Sequence, residues 1–295
     1  MVETAKTIAF FGVGQMGAPM IARLAAAGHR VRAWNRTPDK ARAVAGENVL
    51  AVEDPRAAAD GADIAISILS DGGAVLSLVK DNDLAGTMRE GGAFIDMSST
   101  RPEEARELAA ILAAGGVGFC DAPVSGGPPG AEAGTLAIMA GCDEALFERI
   151  APVLSAMGRP TRLGPVGTGQ LAKLANQLIV GAAIGAVAEA VLLVREGGGD
   201  VDAFRDALTG GYADSKVLQM HGGRMAAGDF APRGRAALHR KDFRNILDEA
   251  EKLGLSLPMG DMLFARFARL CDDLGGADLD HCALFLELLD TNKKP

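Results

Sequence analysis

The chain has 295 residues, 48% of them hydrophobic and 23% charged, which is the make-up of a soluble globular protein with room for two domains. A net charge of −8 with one Trp and one Tyr excludes a general nucleic-acid binder, because such a surface repels phosphate backbones and offers bases little to stack on. Four cysteines without C-x-x-C spacing, together with only four histidines, exclude a zinc-ligand constellation and predict free, buried thiols and no bound metal.

The N-terminal stretch "MVETAKTIAFFG" has no long apolar run closed by a small-residue cleavage site, so a cytoplasmic location is expected. Short apolar runs of strand length follow at 7–11, 31–34, 63–69, 93–97, 117–121 and 136–140. Between them lie Ala-, Leu- and Arg-rich stretches with helical spacing, at 15–27, 54–60, 102–114 and 143–156. Strands alternating with helices predict parallel βαβ units, hence a doubly wound sheet covered on both faces. After "RLGPVGTG" (162–169) the strand signals fade. Thr168 is the expected N-cap of a helix running to Glu196, where "GGG" (197–199) stops it. Further helices are expected at about 201–209, 214–226, 239–253 and 259–274. The predicted fold class is therefore α/β. A Rossmann-type domain over 1–164 precedes an all-α domain over 165–295, joined by a long helix at about 168–196.

From Leu174 to Ala188 that helix carries no charge, but a bilayer span needs roughly twenty predominantly apolar residues. Asn176, Gln177, Gly181 and Gly185 interrupt the run. A helix buried inside the protein or between subunits is expected, with no membrane partner.

Three segments carry chemistry. Gly12, Gly14 and Gly17, with Val13, Gln15 and Met16 between them, form G-x-G-x-x-G directly after a strand and before a helix. In that context the first glycine makes the tight turn, the second lets a pyrophosphate approach the backbone, and the third packs helix on strand. About twenty residues on, where an acidic residue would grip a ribose 2′-hydroxyl, the chain has Asn35, Arg36 and Thr37. A guanidinium there pairs with a 2′-phosphate, which predicts NADP(H) as the preferred cofactor, with NAD(H) second. The second segment, "DAPVSGG" (121–127), ends a strand in a turn whose hydroxyl and bare N–H groups suit a carboxylate. The third, "GPVGTGQLAKLANQ" (164–177), sets Lys173, Asn176 and Gln177 on one face near the start of the long helix.

With these motifs in order, the sequence resembles the β-hydroxyacid dehydrogenase family along essentially its whole length. The segments that carry the resemblance are "FFGVGQMGAPM", "DMSSTRPEEA", "DAPVSGGPPGAEAGTLAIMAG", "GTGQLAKLANQ" and "LHRKDFRNILDEAEKLGLSLP". The stretches "VLQMHGGRM" and "LHRKD" look most like the tartronate semialdehyde reductase branch. The resemblance implies Lys173 as general acid/base and Ser125, Gly126 and Gly127 as the holders of a substrate carboxylate. Asn176 or Gln177 would orient the substrate, and relatives often have Asn where Gln177 stands. Lys241, with Asp242 beside it, would contact the cofactor. Ser99 falls where the family usually has Thr near the nicotinamide, with Thr100 sharing that work, and Leu69 and Ser70 would line the adenosine side. The implied substrate is a small carboxylate-bearing hydroxy acid or its semialdehyde, and the long apolar helix suggests a homodimer or homotetramer. One departure is Pro232-Arg233-Gly234, where relatives read Pro-Gly-Phe. Two other readings share the fold: an imine reductase, which generally lacks the Lys, and a non-catalytic NADP(H)-binding interaction protein.

Overall fold

The computed structural model describes residues 5–294, which divide into two compact units meeting in sequence at Lys173 and Leu174. In the first unit, among the described residues, nine strands form one sheet: β1 (Thr7–Phe11), β2 (Arg30–Trp34), β3 (Val49–Ala51), β4 (Ile64–Ser67), β5 (Ala93–Asp96), β6 (Gly118–Asp121), β7 (Val124–Ser125), β8 (Leu136–Gly141) and β9 (Gly158–Gly164). Their spatial order is β3-β2-β1-β4-β5-β6-β8-β7, with β9 paired to β8. The chain builds outward from β1 through β2 to β3, then crosses to the other side of β1 for β4, β5 and β6, all parallel. The reversal lies between β1 and β4, and in open α/β sheets the crevice at such a switch point is where ligands bind.

Alternating side chains explain why the central strands read as unbroken apolar runs. Ile8, Phe10, Ile64, Ile66 and Ile95 enter one core, whereas Ala9, Phe11, Ala65, Phe94 and Phe119 enter the core on the opposite face. On the second face Phe94 stacks on Phe119 of the adjacent β6 and, across β4, on Phe11 of β1, both at centroid spacings of 6.4 Å. With both faces covered by helices, these central strands are hydrophobic on both of their sides.

At one edge the parallel βαβ pattern gives way to mixed pairing. β8 pairs antiparallel with β6 and β7, and β9 then pairs parallel with β8. β9 reads "GRPTRLG" and is largely exposed, so it carries no apolar signal.

The second unit is helical. It contains most of the helix Thr168–Glu196, then Val201–Leu208, Gly223–Ala227, Ala236–Lys252, Pro258–Asp272 and Leu284–Thr291. The segment expected as a helix at about 214–226 is helical over 216–227, with a wide π-type turn over Leu218–Gly222 inside it. The final helix, Leu284–Thr291, is missing from the sequence-based reading; its few turns are too short to show a period. Two close contacts fix the packing. Phe243 stacks on Phe267 at 5.7 Å, and a Cβ at Gly181 would lie 2.6 Å from the Phe243 ring. The four cysteines are free and buried.

Candidate active site

The first unit gathers its candidate residues at the C-terminal ends of β1, β4, β5 and β6. At the glycine turn, Gly12 has a φ of +107° and a Cβ there would overlap the Ile68 carbonyl oxygen. A Cβ at Gly17 would overlap the carbonyl oxygen of Gly12. Gly14 differs, since nothing lies within 4 Å of the position its Cβ would take. Among the described residues no protein acceptor serves the N–H groups of Gly14, Gln15 and Met16. Open space over a bare backbone, with donors facing it at the start of the helix Gly17–Ala26, fits a pyrophosphate.

Asn35 does not stand free at the end of β2. Its Oδ1 accepts the Val13 N–H at 2.9 Å and its Nδ2 donates to the Thr37 carbonyl at 3.0 Å. An amide can both accept and donate, so it braces the glycine turn and the next loop at once, which a carboxylate could not do. Arg36 and Thr37 are exposed beyond it.

At the end of β4, the Leu69 N–H donates to Ser98 Oγ at 2.8 Å, and Ser70 Oγ donates to Asp71 Oδ2 at 2.8 Å. Below them Asp96 is fully buried. Its Oδ1 accepts from Ser67 Oγ at 2.8 Å and from the Ser98 N–H at 3.1 Å. Among the described residues its Oδ2 has no hydrogen-bond partner. Burial pushes this carboxyl up to about 6 against the lowering effect of those hydrogen bonds.

Asp121, at the end of β6, is equally buried. Its Oδ1 accepts the Gly167 N–H at 2.7 Å and its Oδ2 the Gln170 N–H at 2.8 Å. Burial raises its pKa, opposed by these N–H donors. The long helix is therefore capped by Asp121, and Thr168, its first residue, is not the expected N-cap. The Thr168 hydroxyl donates instead to the Pro165 carbonyl at 2.7 Å. Gln170, also fully buried, accepts the Thr100 N–H at 3.0 Å and donates to the Ser98 carbonyl at 2.9 Å, straddling Ser99. One turn later, Lys173 Nζ donates to the Val124 carbonyl at 2.9 Å. The residues that follow are Ser125, Gly126 and Gly127, and both glycines have positive φ, +136° and +61°. The turn is thus open to residues without a side chain.

The remaining candidates belong to the second unit. Asn176 Nδ2 donates to Gln177 Oε1 at 2.9 Å, and Gln177 Nε2 donates to Asp242 Oδ2 at 2.7 Å. Lys241 Nζ lies 3.6 Å from the other oxygen of Asp242. Arg233 and Gly234 both donate their N–H groups to Asp280 Oδ2 at 2.9 Å, so this departure from the family pattern is a pinned loop. Beside it His221 and His281 approach each other at 3.3 Å, and burial holds the His281 imidazole down to about 3.

Sequence reasoning left Asp121 without a separate role and gave none to Gln170 or Asp96. The only local signal was an Asp at each strand end; apart from the Ser98 N–H on Asp96, their partners lie tens of residues away.

Comparison with known proteins agrees with this layout. Residues 7–171 match the NAD binding domain of 6-phosphogluconate dehydrogenase, and residues 167–288 match the NAD-binding domain of NADP-dependent 3-hydroxyisobutyrate dehydrogenase. A 2-hydroxy-3-oxopropionate reductase of Escherichia coli is 39% identical, over 97% of this chain and 99% of its own. A probable 3-hydroxyisobutyrate dehydrogenase-like protein of Arabidopsis thaliana is 34% identical, over 95% of this chain and 84% of its own. The structure of Mycobacterium tuberculosis 3-hydroxyisobutyrate dehydrogenase with L-serine superposes with a TM-score of 0.86 at 33% identity, covering 97% of this chain and 99% of that one. On these matches, and on the glycine turn that carries its cofactor motif, the chain belongs to the β-hydroxyacid dehydrogenase family of NAD(P)-dependent oxidoreductases.

Proposed function

We propose that the protein is an NADP(H)-preferring reductase/dehydrogenase that interconverts a small 3-hydroxy (or 4-hydroxy) acid with its semialdehyde. Tartronate semialdehyde is the first substrate to test, since the Escherichia coli relative is named for 2-hydroxy-3-oxopropionate. The observation that carries the proposal is the bond from Lys173 Nζ to the carbonyl of Val124, directly before the Ser125-Gly126-Gly127 turn. A substrate whose carboxylate is held by that turn has its carbonyl oxygen within reach of the same ammonium.

When bound, NADPH supplies the hydride. The chain's own work is to hold the acid and to manage charge and proton. Negative charge grows on the carbonyl oxygen as hydride arrives, and a positioned ammonium both stabilises it and delivers a proton. One N–H of Lys173 is anchored on the Val124 carbonyl, which holds the ammonium beside the Ser125 turn. In the reverse direction Lys173 takes the proton from the hydroxyl. Asn176, Gln177 and Lys241 serve substrate and cofactor from residues 165–295, while residues 1–164 carry the cofactor turn. Arg36, with Thr37, selects the 2′-phosphate at the edge of that turn. We further propose a homodimer or homotetramer built on the long helix.

The test is a panel of tartronate, methylmalonate and succinate semialdehydes and glyoxylate, each run with NADPH and NADH. Lys173→Ala is expected to lower kcat by about 10²–10⁴-fold while NADPH still binds; full turnover in that variant removes Lys173 as proton donor. Arg36→Glu is expected to raise KM for NADPH far more than for NADH, and equal effects would make Arg36 a surface charge only.

A further inference from the structure

We infer that Asp121 and Gln170 are positioning residues for the proton donor: they bind the first turn of the long helix to the ends of β5 and β6 and so set where Lys173 Nζ stands. The inference deepens the proposed function and rests on the reading of Lys173 as general acid.

Helix N-termini leave unpaired N–H donors, and a Ser, Thr, Asp or Asn at the N-cap usually satisfies one of them locally. Here the available hydroxyl, Thr168, is turned away to Pro165. The donors are served instead by a carboxylate 46 and 49 residues earlier in sequence, one oxygen for Gly167 and the other for Gln170. A single bond would leave the helix free to pivot about it. Two bonds from one rigid carboxylate to N–H groups three residues apart fix both the roll of the helix and its distance from β6. The chain makes room for this contact. A Cβ at Gly141 would lie 2.5 Å from Asp121 Oδ1, and one at Gly169 would lie 2.8 Å from Oδ2.

Gln170 adds a second tether. Its amide spans the Ser98 carbonyl and the Thr100 N–H, so the helix is also registered against the loop that carries Ser99. Lys173 follows three residues on, which places it on the same side of the helix, one turn away. Three segments of the proposed site thereby share one buried polar hub: the Ser99 loop, the Ser125 turn and Lys173. Burying a carboxylate is costly, and a Ser or Asn at the N-cap would satisfy one of these donors without that cost. What only the long-range arrangement supplies is orientation.

The full-length protein is tested with NADPH and the best aldehyde of the panel, as Gln170→Leu, Asp121→Asn, Lys173→Ala and the double variant Gln170→Leu/Lys173→Ala. Each positioning variant is expected to lose about 10²-fold in kcat, the scale of a 1 Å misplacement, with NADPH affinity by fluorescence within about twofold of wild type. At high enzyme concentration the double variant is expected to be no slower than Lys173→Ala alone, because a misplaced group that is already absent costs nothing more. A purely structural hub would lower the melting temperature and let the two losses multiply, which would overturn the inference. Wild-type kcat in Gln170→Leu would overturn it as well. Should Asp121→Asn fail to fold, Gln170→Leu and Gln170→Glu decide. The latter keeps the acceptor for Thr100 but faces the Ser98 carbonyl with a second acceptor, so its kcat is expected to fall too. Full activity in Lys173→Ala would overturn the proton-donor reading itself, whereas a dead Lys173→Ala beside a fully active Gln170→Leu overturns only the positioning role.

Discussion

Gly14 and Gly17 lie three residues apart and answer to different constraints. Gly17 is required by the protein, because its Cβ would collide with the Gly12 carbonyl, whereas at Gly14 the space is open. Gly17→Ala is expected to lower both melting temperature and cofactor affinity. Gly14→Ala is expected to leave the melting temperature unchanged while the Kd for NADPH rises about tenfold or more, which is 1.4 kcal/mol. Calorimetry and fluorescence titration on the pair check this; an unchanged Kd in Gly14→Ala would place the pyrophosphate elsewhere. Asp96 gives a prediction in pH. Its carboxyl sits at about 6 when folded and about 3.9 when unfolded. The folded state therefore holds the proton more tightly, and the stability this allows is present below about pH 4 and lost as pH rises through 6. The loss is about 3 kcal/mol at most. Asp96→Asn, which cannot ionise, is expected to gain on wild type in urea midpoint as pH is raised from about 4 to about 8. Parallel curves for the two proteins would mean that Asp96 ionises as freely in the fold as in water.

At the scale of elements, the parts of the fold legible in the sequence were those that repeat a period or punctuate a turn. β1, β5 and the helix Pro102–Ala114 stand where apolar runs and helical spacing put them. β9 was not legible, because "GRPTRLG" is polar, contains a Pro and forms a strand only by pairing with β8. The cap of the long helix was misread for a related reason. Thr168 satisfies the local rule, yet the acceptor that serves the helix is Asp121, and nothing at residue 168 reveals a partner 46 residues upstream of Gly167. For the site, residue types and spacing were enough to single out Lys173 and the Ser125 turn. They could not show that Val124 joins the two, nor that Asn35 is occupied in bracing the glycine turn. In the second unit Gly181 marks where the long helix meets Phe243. Gly181→Ala gains helix propensity but forces a methyl group against that ring, so a net loss of about 1–3 kcal/mol is expected in chemical denaturation. A stabilised variant would show that the ring yields.

For the molecule as a whole, the long helix poses an unbalanced surface. By length and composition it could cross a membrane, with only 39% of its most apolar window buried within the chain, and Ile179 and Leu193 are exposed at 69% and 75%. Apolar area left in water is usually covered by a partner, and a second copy of the same helix is the cover proposed above. Light scattering is expected to give a dimer or tetramer, and Ile179→Asp with Leu193→Asp to lower the mass; a wild-type monomer would sink the assembly. The order of strands has a further consequence, for synthesis. β1, the earliest of these strands in the chain, is an interior strand of the finished sheet and has β2 on one flank and β4 on the other. Each of β2, β3, β4, β5 and β6 then finds its neighbour already made. The sheet grows outward in the order of translation, and no strand of that central set has to wait for a partner from the far end of the chain.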